Sequence, residues 1–309
     1  MIEAKNLRKI FRGNRGLRDF SLSIAPGELV GLVGPNGAGK TTLIKIISTL
    51  LPADSGFTTV CGYSVSAESQ AVRASTGYLA DFPGVYQDMR VEEFLQFFAD
   101  AFRLREPQRS ASIQRAIERS GLQDRQNDFV EHLSLGWKQR LLLAKTLLHE
   151  PKILLLDEPA TGLDPLARIA LREQLKQLHA EGITILISSH ILSDLEDICT
   201  RIVFIADGKN VSEPSTASKT AQAALPVIRC EIEFVAPLSA VDAAISRAKG
   251  KSLSGKKGNQ LIVELPGGAE EASAFLQDLL ASKVLVIHFD ARGPGLEERY
   301  RRTFEERLS

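Results

Sequence analysis

The chain has 309 residues, 44% of them hydrophobic and 25% charged, which is enough apolar material for one large domain and a small one. Its 38 basic residues are matched by 38 acidic ones, so no net field draws it toward nucleic acid or an anionic lipid surface. Cys61, Cys199 and Cys230 are odd in number and form no CxxC pair, which argues against a disulfide framework or structural zinc and for reduced thiols of the cytosol.

Taken in order, residues 1–11 lack the apolar stretch of a signal peptide. Residues 29–33 form a short apolar run that leads through glycines into the helical periodicity of 41–51, a strand, tight loop and helix. A short strand is expected at 76–79, then a mostly helical stretch with segments at 91–102, 111–120 and 138–149, read as a helical subdomain at about 84–150. Residues 153–156 and 183–188 are continuous apolar runs, the pattern of strands buried on both faces in a parallel sheet. The longest such runs fall far short of the ~20 residues of a bilayer span, so a role at a membrane requires a partner that crosses it. This first domain is expected over 1–210.

Residues 211–225, rich in Ser, Thr, Ala and Lys with Pro214, read as a linker. Beyond it, at 226–309, a small α+β domain is expected: strand 227–235, helix 240–248, a weak strand near 251–254, strand 261–265, helix 269–281 and strand 284–289. That is the split β-α-β order of ferredoxin-like folds, and 296–308 read as a charged closing helix.

Gly34-Pro35-Asn36-Gly37-Ala38-Gly39-Lys40-Thr41 fits the pattern G-x-x-x-x-G-K-[ST] between a strand and a helix. Glycines let backbone N–H groups turn inward around phosphates, the helix start adds partial positive charge, and Lys40 reaches the β/γ-phosphates. Thr41 is placed to hold Mg²⁺ through its hydroxyl. The strand 153–156 ends in Asp157 and Glu158, carboxylates at the carboxyl end of a sheet where ligands bind. Asp157 suits the Mg²⁺ side of a nucleotide; Glu158 is the candidate to orient and deprotonate the attacking water. At this point kinases, GTPases and DNA motors all remain open.

Leu133-Ser134-Leu135-Gly136-Trp137-Lys138-Gln139-Arg140 narrows the choice, because it resembles the LSGGQ signature of the ATP-binding-cassette family. Ser134 as helix cap and the N–H groups around Gly136 suit an anion at a helix start. The resemblance covers about residues 2–208. It implies an α/β P-loop NTPase cassette, a mixed sheet core with an inserted helical subdomain. It also implies that Phe11 stacks on adenine, that Ala160 to Asp164 join two cassettes, and that His190 contacts the γ-phosphate. The implied nucleotide contacts are Phe11, Gly34, Pro35, Asn36, Gly37, Ala38, Gly39, Lys40, Thr41, Thr42, Asp81, Ser134 and Gly136. Implied Mg²⁺ ligands are Thr41, Asp157 and Asp81, and implied catalytic residues are Glu158, His190 and Lys40. Two departures stand out: Asp81 replaces the usual glutamine of the sensor loop, and Leu135 and Trp137 alter the signature in a manner similar to exporter-type cassettes.

The same resemblance implies an ATPase with ATP and Mg²⁺ as cofactors and a second copy of itself as partner. A separately encoded integral membrane permease would dock near Phe82, Val85, Tyr86, Phe94, Phe97 and Phe98. The expected location is cytoplasmic, peripheral to the inner membrane, without nucleic acid and without direct membrane insertion. Two rivals are a soluble cassette protein of translation or DNA repair, and a binding-only regulatory module that has lost turnover.

Overall fold

The structure is a computed structural model that describes residues 1–13, 15–81, 84–211, 227–235, 238–248, 251–252 and 260–292. The chain divides into two compact units, Met1–Val211 and Ser212–Ser309.

In the first unit β1 (Ile2–Phe11) and β2 (Arg15–Ile24) form an antiparallel hairpin whose open end pairs Ile2 with Ile24 and whose turn end pairs Phe11 with Arg15. Then come β3 (Leu29–Val33), α1 (Lys40–Ile47), β4 (Ser55–Val60), β5 (Tyr63–Ser64), α2 (Ser69–Ser75) and β6 (Thr76–Leu79). Three helices follow, α3 (Val91–Ala101), α4 (Gln108–Ser120) and α5 (Leu135–Leu147), before β7 (Ile153–Asp157). The unit closes with α6 (Pro165–Ala180), β8 (Thr184–Ser189), α7 (Ser193–Glu196), β9 (Arg201–Ala206) and β10 (Lys209–Val211).

Among the described residues these strands make one mixed sheet in the order β5-β4-β1-β2-β10-β9-β3-β8-β7-β6. The stretch β9-β3-β8-β7-β6 is parallel, and β3, β7 and β8 are buried at every position, as helices on both faces require. The other arm, β5-β4-β1-β2, is antiparallel. Leu17, Phe20 and Ile24 from that arm share one core with Leu43, Ile44 and Ile47 of α1 and with Leu155 and Leu186 of the parallel strands.

Local chemistry sets the element ends. Gly39, at φ 114°, opens α1, a backbone that side chains other than glycine rarely tolerate. Gly121 at φ 65° stops α4, and Asp164 caps α6 by accepting from the Ala167 N–H, with Pro165 at the first helical position. The expected helix 41–51 ends instead at Ile47, where Ser48 leaves helical geometry and Thr49 turns to φ 63°. The expected helix 138–149 starts earlier, at Leu135, and stops at Leu147.

In the second unit β11 (Val227–Val235), α8 (Leu238–Arg247), β12 (Lys251–Ser252), β13 (Gln260–Pro266), α9 (Ala269–Ala281) and β14 (Leu285–Arg292) follow in order. The strands form an antiparallel sheet ordered β12-β13-β11-β14. Cys230, Ile232 and Phe234 pack with Val241, Ala244, Phe275 and Leu279 of the two helices. Nearly all of the expected linker 211–225 and the whole of the expected closing helix 296–308 lie outside the described residues, as does Phe82.

Candidate functional site

The strand order puts the ends of β3, β8, β7 and β6 side by side, and each carries chemistry from its carboxyl end. After β3 the chain passes so close to β9 that a Cβ on Gly34 would lie 2.1 Å from the Ile205 carbonyl oxygen; only glycine fits there. β7 ends in Asp157, with Glu158 next; His190 follows β8, and Asp81 follows β6.

These residues meet at a cleft of about 420 Å³. Phe11, Asn36, Gly37, Ala38, Gly39, Lys40, Thr41, Thr42, Asp81, Glu158 and His190 line it, as do Arg15, Gly16 and Thr161. Gly34 and Pro35 lie beneath the lysine, their carbonyls accepting from Lys40 Nζ at 2.7 and 3.3 Å. Lys40 Nζ also stands 3.3 Å from Glu158 Oε1.

Asp157 is 1% exposed, so its charge needs donors. Ser188 Oγ donates to its Oδ1 at 2.7 Å and Thr41 Oγ1 at 3.1 Å. Glu158 adopts φ 50°, a left-handed conformation costing a non-glycine residue about 1–2 kcal/mol. Its N–H donates to Ser188 Oγ at 3.0 Å, and its carboxylate turns into the cleft. There Glu158 Oε2 accepts from His190 Nδ1 at 2.6 Å.

Asp81 sits beside this pair of acids. Its Oδ1 is buried without a hydrogen-bond partner, and burial, then the Asp157 and Glu158 charges, push its pKa above the usual carboxylate range. The donor set (Thr41 hydroxyl, Asp157, the orphaned Asp81 oxygen) is all hard oxygen and fits Mg²⁺. Among the described residues no three His, Cys, Asp or Glu side chains form a metal cage, so such an ion would draw its remaining ligands from water and the nucleotide's own oxygens.

Ser134 and Gly136 are not among the residues that line the cleft. The expected serine cap is corrected: Ser134 occupies the capping position of α5, but its side chain makes no capping hydrogen bond. The residue is exposed, and the first N–H groups of α5 are not claimed by its side chain. Gly136 is needed there because a Cβ would lie 2.9 Å from Ala167 Cβ of α6. Trp137 lies under two guanidinium groups, Arg140 at 4.8 Å and Arg125 at 5.3 Å from its ring centre.

Sequence reasoning missed Arg15 and Gly16, and gave Thr161 a place only within the 160–164 loop that joins two cassettes, not in the cleft. Thr161 was legible as the residue following Glu158, Pro159 and Ala160. Arg15 and Gly16 enter only through the β1–β2 hairpin that sets them opposite Phe11 and Ile10, an element that its interrupted apolar pattern conceals.

On the helical excursion Phe94 is buried, while Tyr86 and Phe97 are 53% and 44% exposed. Tyr86, Phe97 and Phe98 lie edge to face in one cluster, with ring centres 5.2 to 5.3 Å apart along the chain of contacts. No helix among the described residues is long and apolar enough to cross a membrane.

A glycine loop opening a helix beside strand-end acids defines a P-loop nucleoside triphosphatase fold. The family described as ABC transporter matches residues 17–161. YhcH of Bacillus subtilis, an uncharacterized ABC transporter ATP-binding protein, is 40% identical over 210 residues, 68% of this chain and 68% of that protein. The Nod factor export ATP-binding protein I of Paraburkholderia xenovorans is 35% identical over 212 residues, covering 69% of this chain and 70% of that one. A solved ATP-binding subunit of an ABC transporter aligns at a TM-score of 0.61 and 32% identity, over 69% of this chain and 88% of that one. The chain belongs to the ABC transporter ATP-binding proteins, and it is an ATPase of that family.

Proposed function

We propose that the chain is the ATP-hydrolysing motor subunit of an ABC exporter, which dimerises around two Mg-ATP and drives a separately encoded membrane permease. One observation carries the two-copy reading: Lys40, Glu158 and His190 share a cleft that Ser134 and Gly136 do not line. A second copy bringing its α5 start to this cleft would supply the missing N–H donors. The name of the Nod factor export relative favours export.

Within that site Phe11 carries the adenine, the loop 34–42 wraps the phosphates with backbone N–H groups, and Lys40 neutralises the far end of the triphosphate. Glu158 orients a water and takes its proton as the water oxygen attacks the γ-phosphorus. The bond from phosphorus to the bridging oxygen breaks, and ADP leaves with that electron pair. His190 holds Glu158 and faces the γ-phosphate. Thr41, Asp157 and Asp81 would hold Mg²⁺, which supplies charge neutralisation at the phosphates.

The exposed aromatics Tyr86 and Phe97 are proposed as the permease contact, which places the protein at the cytoplasmic face of the membrane. The proposed organisation is a cassette over 1–210 with a helical subdomain at about 84–150, a linker at 211–225 and an accessory domain at 226–309. Its sheet order, β12-β13-β11-β14, supports a ferredoxin-like reading of that domain, to which we assign strengthening of the dimer or control of turnover.

Glu158→Gln tests the proposal. It should keep ATP affinity, slow hydrolysis by roughly 10²- to 10⁴-fold, and hold an ATP-bound dimer on size exclusion. Hydrolysis at the parental rate removes Glu158 from its role; ATP binding with no dimer at any concentration overturns the two-copy site.

A further inference from the structure

We infer that Arg15 is a positioning residue for the nucleotide, a guanidinium that grips the α-phosphate and sets the distance between adenine and the reacting phosphate. The inference rests on the ATP site proposed above. It starts from the hairpin: Arg15 is the register partner of Phe11, and Gly16 that of Ile10.

Gly16 ties this corner to both ends of the cleft. A Cβ on it would lie 3.2 Å from the Phe11 ring and 2.0 Å from the Lys9 carbonyl oxygen, while a Cβ on Gly39 would lie 3.4 Å from Gly16 O. The Arg15–Gly16 step is therefore wedged between the aromatic platform and the start of α1. A nucleotide running from Phe11 to Lys40 passes it at its α-phosphate.

The charges agree with that placement. Lys40 is engaged by two loop carbonyls and stands beside Glu158, and His190 is bonded to Glu158. Arg15 lines the same cleft, is exposed, and has no hydrogen-bond or ion-pair partner among the described residues. A guanidinium left unpaired at a phosphate-binding cleft matches the planar, two-pronged geometry of a phosphate. Because ATP and ADP share the α-phosphate, such a contact holds substrate and transition state alike and acts on KM rather than kcat.

Arg15→Ala and Arg15→Lys separate this role from others, with ATP, ADP and adenosine titrated calorimetrically in the presence of Mg²⁺. Arg15→Ala should weaken ATP and ADP by about tenfold each, the effect of one charge-assisted bond in a solvent-accessible cleft. Adenosine affinity should hold, KM for ATP should rise in parallel, and kcat at saturation should change little. Arg15→Lys should recover part of the loss, since a compact ammonium keeps the charge but not the fork. Thermal unfolding of both variants should match the parent, because the side chain is exposed. Unchanged ADP affinity overturns the inference, and so does an equal loss for adenosine, which would put Arg15 over the base. A parent protein that binds no ATP sinks the site itself; a parent that binds ATP beside an Arg15→Ala variant that is no weaker sinks only this assignment.

Discussion

Asp81 illustrates how much a single position carries. Its Oδ1 has no donor, and two more carboxylates, Asp157 and Glu158, raise its pKa after burial does. In nucleotide-free protein Asp81→Asn removes one of three crowded charges. The Tm should rise by about 2–4 °C, the shift expected of ~1 kcal/mol in a unit this size. The same change should lower Mg²⁺-dependent ATP hydrolysis, which a coupled phosphate assay reads. A lower Tm, or a higher turnover, contradicts the placement of Asp81 as an oxygen donor held against repulsion. Individual site residues were legible because the phosphate loop, the acids and His190 each follow an apolar run. Arg15 was not, since nothing local to it announces a ligand; it is brought to the cleft by pairing with Phe11 across a turn.

Among the elements, the parallel strands were the easiest to read. β3, β7 and β8 are buried along their whole length and so spell unbroken apolar runs. The antiparallel arm was missed for the opposite reason. Half of β1 and β2 faces solvent, and residues such as Lys5, Arg8, Arg15 and Arg18 interrupt the apolar positions. Signature helix α5 is legible as a helix; the apolar periodicity alone starts it late, at 138, whereas reading Ser134 as its cap puts the start at Leu135, where it lies.

The far end of that helix yields a pH prediction. His149 donates from Nε2 to the Thr76 carbonyl oxygen at 2.9 Å and stacks on Phe102 at 4.5 Å, while its Nδ1 is buried without a partner. Burial pushes its pKa below the usual 6.5, with the Thr76 bond opposing. The unfolded chain therefore binds a proton here at pH values where the folded one does not. The contribution of His149 to stability is complete above about pH 6.5 and drains away as the pH falls from there through the folded value. Thermal unfolding at pH 7.5 and 5.5 should accordingly penalise the parent more than His149→Gln on acidification. Equal losses in both proteins would remove His149 as the cause.

At the scale of the molecule, the described residues that line the cleft belong to Met1–Val211, and that unit has its own core. A chain ending at Val211 should therefore fold and bind ATP within about twofold of the full protein, a difference under ~0.5 kcal/mol. Calorimetry on the shortened chain checks this; a tenfold loss would mean that the second unit completes the site. Dimerisation and ATPase rate of the same truncation report on the role assigned to 226–309, and if both match the full chain that role falls.

The helical excursion leaves the sheet after β6 and returns at β7, and these strands are immediate neighbours, Thr76 opposite Ile153 and Leu79 opposite Leu156. The excursion leaves at Leu79, opposite Leu156, and returns at Ile153, opposite Thr76, so its three helices carry the chain from the carboxyl ends of the two strands back to their amino ends. The last of them, α5, lies against β6 itself: a Cβ on Gly77 would stand 2.7 Å from the Thr146 carbonyl oxygen, and His149 just beyond the helix bonds to the Thr76 carbonyl. The departure point, Leu79, stands two residues before Asp81, so a push on the excursion from outside has its shortest path into the cleft through that acid.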